Sequence, residues 1–170
     1  MSRIRAATPD DVERLQAIEF AAGAAFVHIG MPEIAADDPL PADELERYRA
    51  AGRSWVVTDE GDRAVAYLVA DVVDDLAHVE QVSVHPDHGR QGIGRRLLDH
   101  VAEWARTEGH TAITLTTFRD VPWNAPYYEH CGYRVLPDDE RGPELVARMA
   151  HEAALGLDPT QRVAMCLDLP

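Results

Sequence analysis

The residues with the plainest chemical potential lie between Val82 and Leu98. Three glycines, Gly89, Gly92 and Gly94, alternate there with Arg90, Gln91, Ile93, Arg95 and Arg96. The segment reads as a strand that runs into a glycine-rich loop, and the loop opens an amphipathic helix. Free amide N–H groups at a helix N-terminus favour anions. Glycines let an anion approach the backbone closely and let the chain take unusual dihedrals. Arg90, Arg95 and Arg96 reverse the sign of charge locally in a chain whose formal net charge is −14. That combination points to a phosphate site. It is not a P-loop, which ends in Gly-Lys-Ser/Thr, and the glycine spacing is the reverse of the dinucleotide fingerprint. A tight strand-to-helix turn with solvated arginines stays open as the plain alternative.

Glu80, upstream on the same strand, shares a strand face with Val82 and Val84. A carboxylate on an apolar face is chemically notable, and His78 lies two residues before it on the same face. The stretch His85-Pro86-Asp87-His88, with its two histidines, could suggest a metal, but a polar loop is the better reading. Cys131 and Cys166 have no metal-ligand spacing and form no disulfide framework. No metal is expected.

The elements that must position these residues alternate in type. A short strand from Ile4 to Ala7 precedes a helix capped at Thr8, with Pro9 at its first position and an apolar stripe of Val12, Leu15, Ile18 and Ala22. Residues 28 to 41 read as a loop, and residues 41 to 51 as an acidic helix. Strands follow at 54 to 58, 64 to 73 and 78 to 85. The helix from Gly94 to Thr107 has the stripe Leu97, Leu98, Val101, Trp104 and Ala105, and Gly109 stops it. Further strands are expected at 111 to 117, 133 to 136 and 162 to 167, with helices at 122 to 131 and 143 to 155. This order is an α/β fold with a mixed sheet, with early antiparallel hairpins and one strand–helix–strand unit.

Length and composition set the class. A chain of 170 residues supports one domain, residues 1–170. Apolar residues make up 46% and charged residues 27%, a globular composition. No apolar run approaches the roughly 20 residues that cross a bilayer, and the first residues lack the apolar centre of a signal peptide. A cytoplasmic protein without a membrane partner is expected. The acidic balance argues against nucleic acid and suits a cationic small molecule.

The loop residues resemble the central motif of the GNAT superfamily of acyl-CoA-dependent N-acetyltransferases, Gln/Arg-x-x-Gly-x-Gly/Ala after a strand and before a helix. Gly92 and Gly94 occupy its two small positions. Gly89 stands where the family has Gln or Arg, and Arg90 follows one residue later. Downstream, Asn124, Tyr128, Gly132 and Tyr133 resemble the later family motif, an Asn followed by Tyr-x-x-x-Gly-Phe/Tyr.

The resemblance implies the GNAT fold, a mostly antiparallel central sheet with a strand splay and helices on both faces. It implies transfer of an acetyl group from acetyl-CoA to a primary amine. The backbone of Val82, Ser83 and Val84 would pair with the pantetheine arm. The segment Gly89, Arg90, Gln91, Gly92, Ile93, Gly94 and Arg95 would hold the diphosphate. Asn124 would hydrogen-bond the cofactor arm, or else cap the helix that follows it. Tyr128 would protonate the leaving thiolate. Glu80 would be the general base, with His78 or a water chain as alternatives. An alkylamine, pKa near ~10.4, must lose a proton before it attacks. The acidic stretches Asp37-Asp38, Asp43 to Glu46 and Asp71 to Asp75 suggest a small cationic amine. A protein or peptide acceptor and a non-catalytic acyl-CoA sensor are the rival readings, and a homodimer is a family expectation.

Overall fold

Alternating apolar residues and short turns build the strands that flank the site. The computed structural model describes residues 2–170. The elements are β1 (Arg3–Ala6), α1 (Val12–Gly23), α2 (Pro32–Ala35), α3 (Ala42–Ala50), β2 (Ser54–Thr58), β3 (Ala64–Val73), β4 (Leu76–Val84), α4 (Ile93–Thr107), β5 (Ala112–Phe118), α5 (Ala125–His130), β6 (Arg134–Val135), α6 (Pro143–Ala154) and β7 (Arg162–Asp168). The seven strands follow the order β1-β2-β3-β4-β5-β7-β6. Four of the neighbouring pairs are antiparallel, and β4 with β5 is parallel. The mixed α/β class expected from the sequence is the one found. Among the described residues no helix is long and apolar enough to cross a membrane.

The chain divides into two compact units. One comprises residues up to Ala70 with Gln81–Val101, the other Asp71–Glu80 with Ala102–Pro170. In the first, β1, β2 and β3 form an antiparallel ladder from Arg3↔Thr58 to Ser54↔Val69. Leu15 and Ile18 of α1 and Leu45 and Tyr48 of α3 pack on Val56, Tyr67 and Val69. Burying each such aliphatic side chain is worth about 1.5–3 kcal/mol. The start of α1 is fixed by Asp11, whose carboxylate accepts the Thr8 amide at 2.8 Å and pairs with Arg5 at 2.7 Å. Residues 28 to 41 are not a plain loop. A 3₁₀ turn, Ala24–Ile29, ends at Gly30 in the left-handed region (φ 76°), and Pro32 then opens the one-turn α2. Proline at a first helical position supplied that signal.

In the second unit β5 and β7 pair from Ala112↔Asp168 to Phe118↔Arg162, and β6 pairs with β7 at Arg134↔Cys166 and Val135↔Met165. Leu145 and Met149 of α6 pack on Val73, Leu136, Ala164 and Cys166. Asp74 caps α6: its two carboxylate oxygens accept the amides of Glu144 and Leu145 at 2.9 and 3.0 Å. Gly142 is required beside it, because a Cβ there would overlap the Asp74 carboxyl group. Cys131 and Cys166 are buried free thiols.

Candidate active site

The strand that carries the site changes character midway. Ala77, His78 and Val79 are buried, but Glu80, Gln81, Val82 and Val84 are only half-buried, with Ser83 buried between them. Val82 and Val84, on the strand face of Glu80, are thus half-buried as Glu80 is. The parallel ladder with β5 consists of Ala77↔Ile113 and His78↔Thr114, and Val79 and Glu80 have no partner on β5. Beyond that ladder Val79 is still covered, and the half-buried stretch begins at Glu80.

In the first unit β4 runs straight into the glycine loop. The His85 amide donates to the Val65 carbonyl at 2.9 Å, and the His85 ring accepts the Asp87 amide at 3.1 Å. His85 and Asp87 thus close a turn, Pro86–His88. Arg90 (φ 61°) and Gly92 (φ 74°) then take left-handed backbone, and α4 begins at Ile93. For Gly92 that dihedral, not crowding, is what requires glycine, since nothing lies within 4 Å of the place a Cβ would occupy. Arg90 holds the same region at a cost of about 1–2 kcal/mol. Backbone strain of this kind persists where a site needs it.

The consequence is a row of free donors. Among the described residues, the amides of Arg90, Gln91, Gly92, Ile93 and Gly94 donate to no acceptor; the helical ladder resumes with Arg96 N–H to the Gly92 carbonyl at 3.1 Å. The Ile93 side chain is buried, so only its backbone is available. Of the three arginines expected to face the anion, two are engaged elsewhere. Arg96 bonds the Ser2 hydroxyl at 2.7 Å, and Arg95 pairs with Asp99 one helical turn on at 3.3 Å. Arg90 is exposed and forms no ion pair among the described residues.

In the second unit, Glu80 belongs to a charged cluster. Arg148 of α6 bonds Glu80 Oε2 at 2.5 Å and Asp71 Oδ2 at 3.1 Å. Burial pushes the Glu80 carboxyl above its ordinary value, and the Arg148 charge opposes that rise. Glu80 Oε1 accepts no hydrogen bond among the described residues. His78 is buried, and its Nδ1 lies 2.8 Å from Thr114 Oγ1. Burial, with the Arg148 charge, lowers its pKa to about 3. The imidazole is therefore neutral near pH 7, and its Nε2, 3.7 Å from Glu80 Oε2, forms no ion pair there. The sequence singled out Glu80 and His78 but missed Arg148, whose only signal was an arginine on the inner stripe of a helix.

Tyr128 on α5 is buried, with its ring edge-on to Tyr127 and Tyr133 at 5.6 and 5.8 Å between centroids. Burial, aided by Tyr127 and Cys131, drives the hydroxyl well above its ordinary pKa, while Arg162 pulls it down. It stays protonated at any physiological pH. Asn124 does not cap α5: its side chain forms no cap bond, and its Oδ1 is buried without a hydrogen-bond partner. A buried acceptor left unpaired is costly, roughly 1–3 kcal/mol, unless something else fills it. The acidic stretch from Asp71 to Asp75 is not a free cation site, because Asp71 is paired with Arg148 and Asp74 caps α6.

A strand feeding unpaired amides at a helix N-terminus, in a mixed sheet with one short parallel pair, is an arrangement suited to an anionic ligand. The model of the acetyltransferase (GNAT) family matches residues 19–133, and the chain belongs to that family. A [ribosomal protein bS18]-alanine N-acetyltransferase of Salmonella typhimurium is 32% identical over 72 residues, 42% of this chain and 49% of that protein. The chain thus spans about half the length of the curated relatives it matches. The crystal structure of the ribosomal-protein-S18-alanine N-acetyltransferase from Escherichia coli superposes with a TM-score of 0.67 at 20% identity, covering 99% of this chain and 94% of that one. Rv2747 from Mycobacterium tuberculosis, in complex with CoA and NLQ, gives 0.71 at 18% identity over 99% of each chain.

Proposed function

We propose that this chain is an N-acetyltransferase that moves the acetyl group of acetyl-CoA directly to a primary amine. The observation that carries the reading is the set of unpaired amides from Arg90 to Gly94. Five N–H donors at a helix N-terminus suit a diphosphate, and Arg90 adds an uncommitted charge. The free edge of β4 from Val82 to Val84 suits pairing with an extended amide-bearing arm, in the manner of an added strand. Asn124 Oδ1 is an acceptor in want of a donor, which that arm would supply. The reading takes residues 1–170 as one catalytic domain, since β3 and β4 each contribute to both compact units.

The chemistry follows from the side chains. The amine nitrogen attacks the thioester carbon, the C–S bond breaks, and the amine proton leaves to Glu80, directly or through water. Burial raises the Glu80 pKa, and the Arg148 charge opposes that rise and so favours the ionised form the task needs. The thiolate leaves against the Tyr128 hydroxyl. A thiol has a pKa near ~8.5, far below that of the buried tyrosine, so Tyr128 acts mainly by donating a hydrogen bond to the developing charge.

The acceptor we favour is a polypeptide α-amine. Its pKa near ~7.7–8.0 leaves roughly a tenth to a sixth of it neutral at pH 7, against under about a thousandth of an alkylamine, so a half-buried carboxylate held by an arginine has less to do. An alkylamine would ask more of it. The relatives named above are N-acetyltransferases for the alanine of a ribosomal protein, which supports this choice. A small cationic amine is the second reading, favoured by the net charge of −14. Thiol release from acetyl-CoA in the presence of N-terminally free peptides, and of polyamines in parallel, tests both. Tight binding of acetyl-CoA with no thiol release from any amine would instead identify a sensor.

A further inference from the structure

The second unit contains a cavity of about 350 Å³, lined by Arg119, Arg141 and Arg162, by Met149, and by the carboxylates Asp138 and Glu152. Three guanidinium groups meeting two carboxylates is unusual in so acidic a chain. The pairing inside the cavity is also incomplete. Arg162 bonds Glu152 Oε1 and Thr116 Oγ1, each at 3.1 Å, and its guanidinium stacks on Phe118 with 4.7 Å to the ring centroid. Arg141 reaches Asp138 at 3.1 Å, but that carboxylate is 92% exposed, and an exposed pair is weak. The Arg119 guanidinium donates to the Thr160 carbonyl at 2.7 Å and meets no carboxylate among the described residues. The Nε atoms of Arg141 and Arg162 are buried without an acceptor. Donors outnumber acceptors, and a planar oxyanion is the group that matches guanidinium forks.

The cavity adjoins the residues assigned to chemistry. Met149 and Glu152 of its lining lie on α6 beside Arg148, the residue that bonds Glu80. A ligand in the cavity would therefore sit beside the reacting groups rather than on a remote face.

We propose that this arginine cavity binds a carboxylate carried by the acceptor itself, a few bonds from the nitrogen that is acetylated. The acceptor class is an amine bearing a carboxylate, either a free acidic amino acid or a polypeptide whose first residues include an acidic side chain. The assignment rests on the acetyl-transfer reading above and narrows it. Arg119 supplies the uncompensated charge, and Arg141 supports it.

The test compares acceptors in matched pairs with acetyl-CoA: glutamate against glutamine, and a short peptide with an early Glu against the same peptide with Gln. The carboxylate member of at least one pair is expected to have a KM at least tenfold lower, and the pair that shows it identifies the source. In Arg119→Gln and Arg141→Gln the preference is expected to fall to within about threefold, with melting temperatures near wild type. Equal KM values within both pairs, or a preference that survives both substitutions, would overturn the proposal. Calorimetry with glutarate gives a readout that needs no turnover: heat in the wild type that is lost in Arg119→Gln supports the cavity, and absence of heat in the wild type counts against it. Glutarate binding without any acetyl transfer would sink the transferase reading while leaving the anion site standing.

Discussion

Arg148 Nη1 lies 2.5 Å from Glu80 Oε2, so a helix inserted between β6 and β7 places a positive charge on the carboxylate of the central strand. The other nitrogen of the same fork holds Asp71 at 3.1 Å. The arginine offsets the effect of burial on Glu80. Replacing it with methionine removes the opposing charge and should move the acid limb of the kcat/KM profile to higher pH, because less Glu80 is ionised at a given pH. Both partners are partly exposed, so the stability loss should be modest, about 1–2 kcal/mol. A profile that shifts to lower pH, or does not shift, would separate Glu80 from the proton transfer.

His78 makes a separate prediction about stability. In the unfolded chain it takes up a proton below about 6.5; in the folded protein it resists until about 3. The unfolded state therefore binds more protons between those values, and stability falls as pH falls through that window. The slope is at most about 1.4 kcal/mol per pH unit. Urea denaturation at pH 7 and pH 5 should show a loss of order 2 kcal/mol that largely disappears in His78→Gln.

Tyr128→Phe keeps the buried ring and removes only the hydroxyl. The maximal rate should fall by roughly 10²-fold, the size typical of losing one preorganised donor. The acetyl-CoA dissociation constant should change by less than about threefold, since the interaction belongs to the departing thiolate. Pre-steady-state acetyl transfer with direct binding separates the two effects, and equal losses in both would argue for a packing role.

The glycine loop contains an opposed pair of substitutions. Gly92→Ala forces an L side chain into φ 74° and should cost about 1–2 kcal/mol. Arg90→Gly relieves the same strain at φ 61° and should stabilise the free protein while weakening coenzyme binding and flattening its salt dependence. Thermal melts with and without coenzyme A check both directions.

Much of this is legible in the sequence. The stripe of Leu97, Leu98 and Val101 marks α4, and all three are buried. Gly92 and Gly94 beside Arg90 announce a strand-to-helix loop with left-handed backbone, because glycine dihedrals and helix ends are local properties. What stays hidden is what depends on distant pairing. Arg148 and Glu80 are 68 positions apart, and no periodicity joins them. Three arginines at 119, 141 and 162 share one cavity only because β5, β7 and the stretch before α6 converge. The acidic run at Asp71 to Asp75 looks like a cation site in one dimension, yet it is spent on a helix cap and an ion pair. Alternation along β4 sorts Glu80, Val82 and Val84 onto one face but says nothing about where the neighbouring strand stops, and so not how deeply that face is covered.

The most direct measurement is calorimetric titration of the wild-type protein with coenzyme A and, separately, with pantetheine, which has the same arm and no diphosphate. Coenzyme A is expected to bind at least a hundredfold more tightly, with the difference reduced in Gly92→Ala. Equal affinity for the two, or no heat with coenzyme A, would mean that the unpaired amides from Arg90 to Gly94 do not grip a diphosphate.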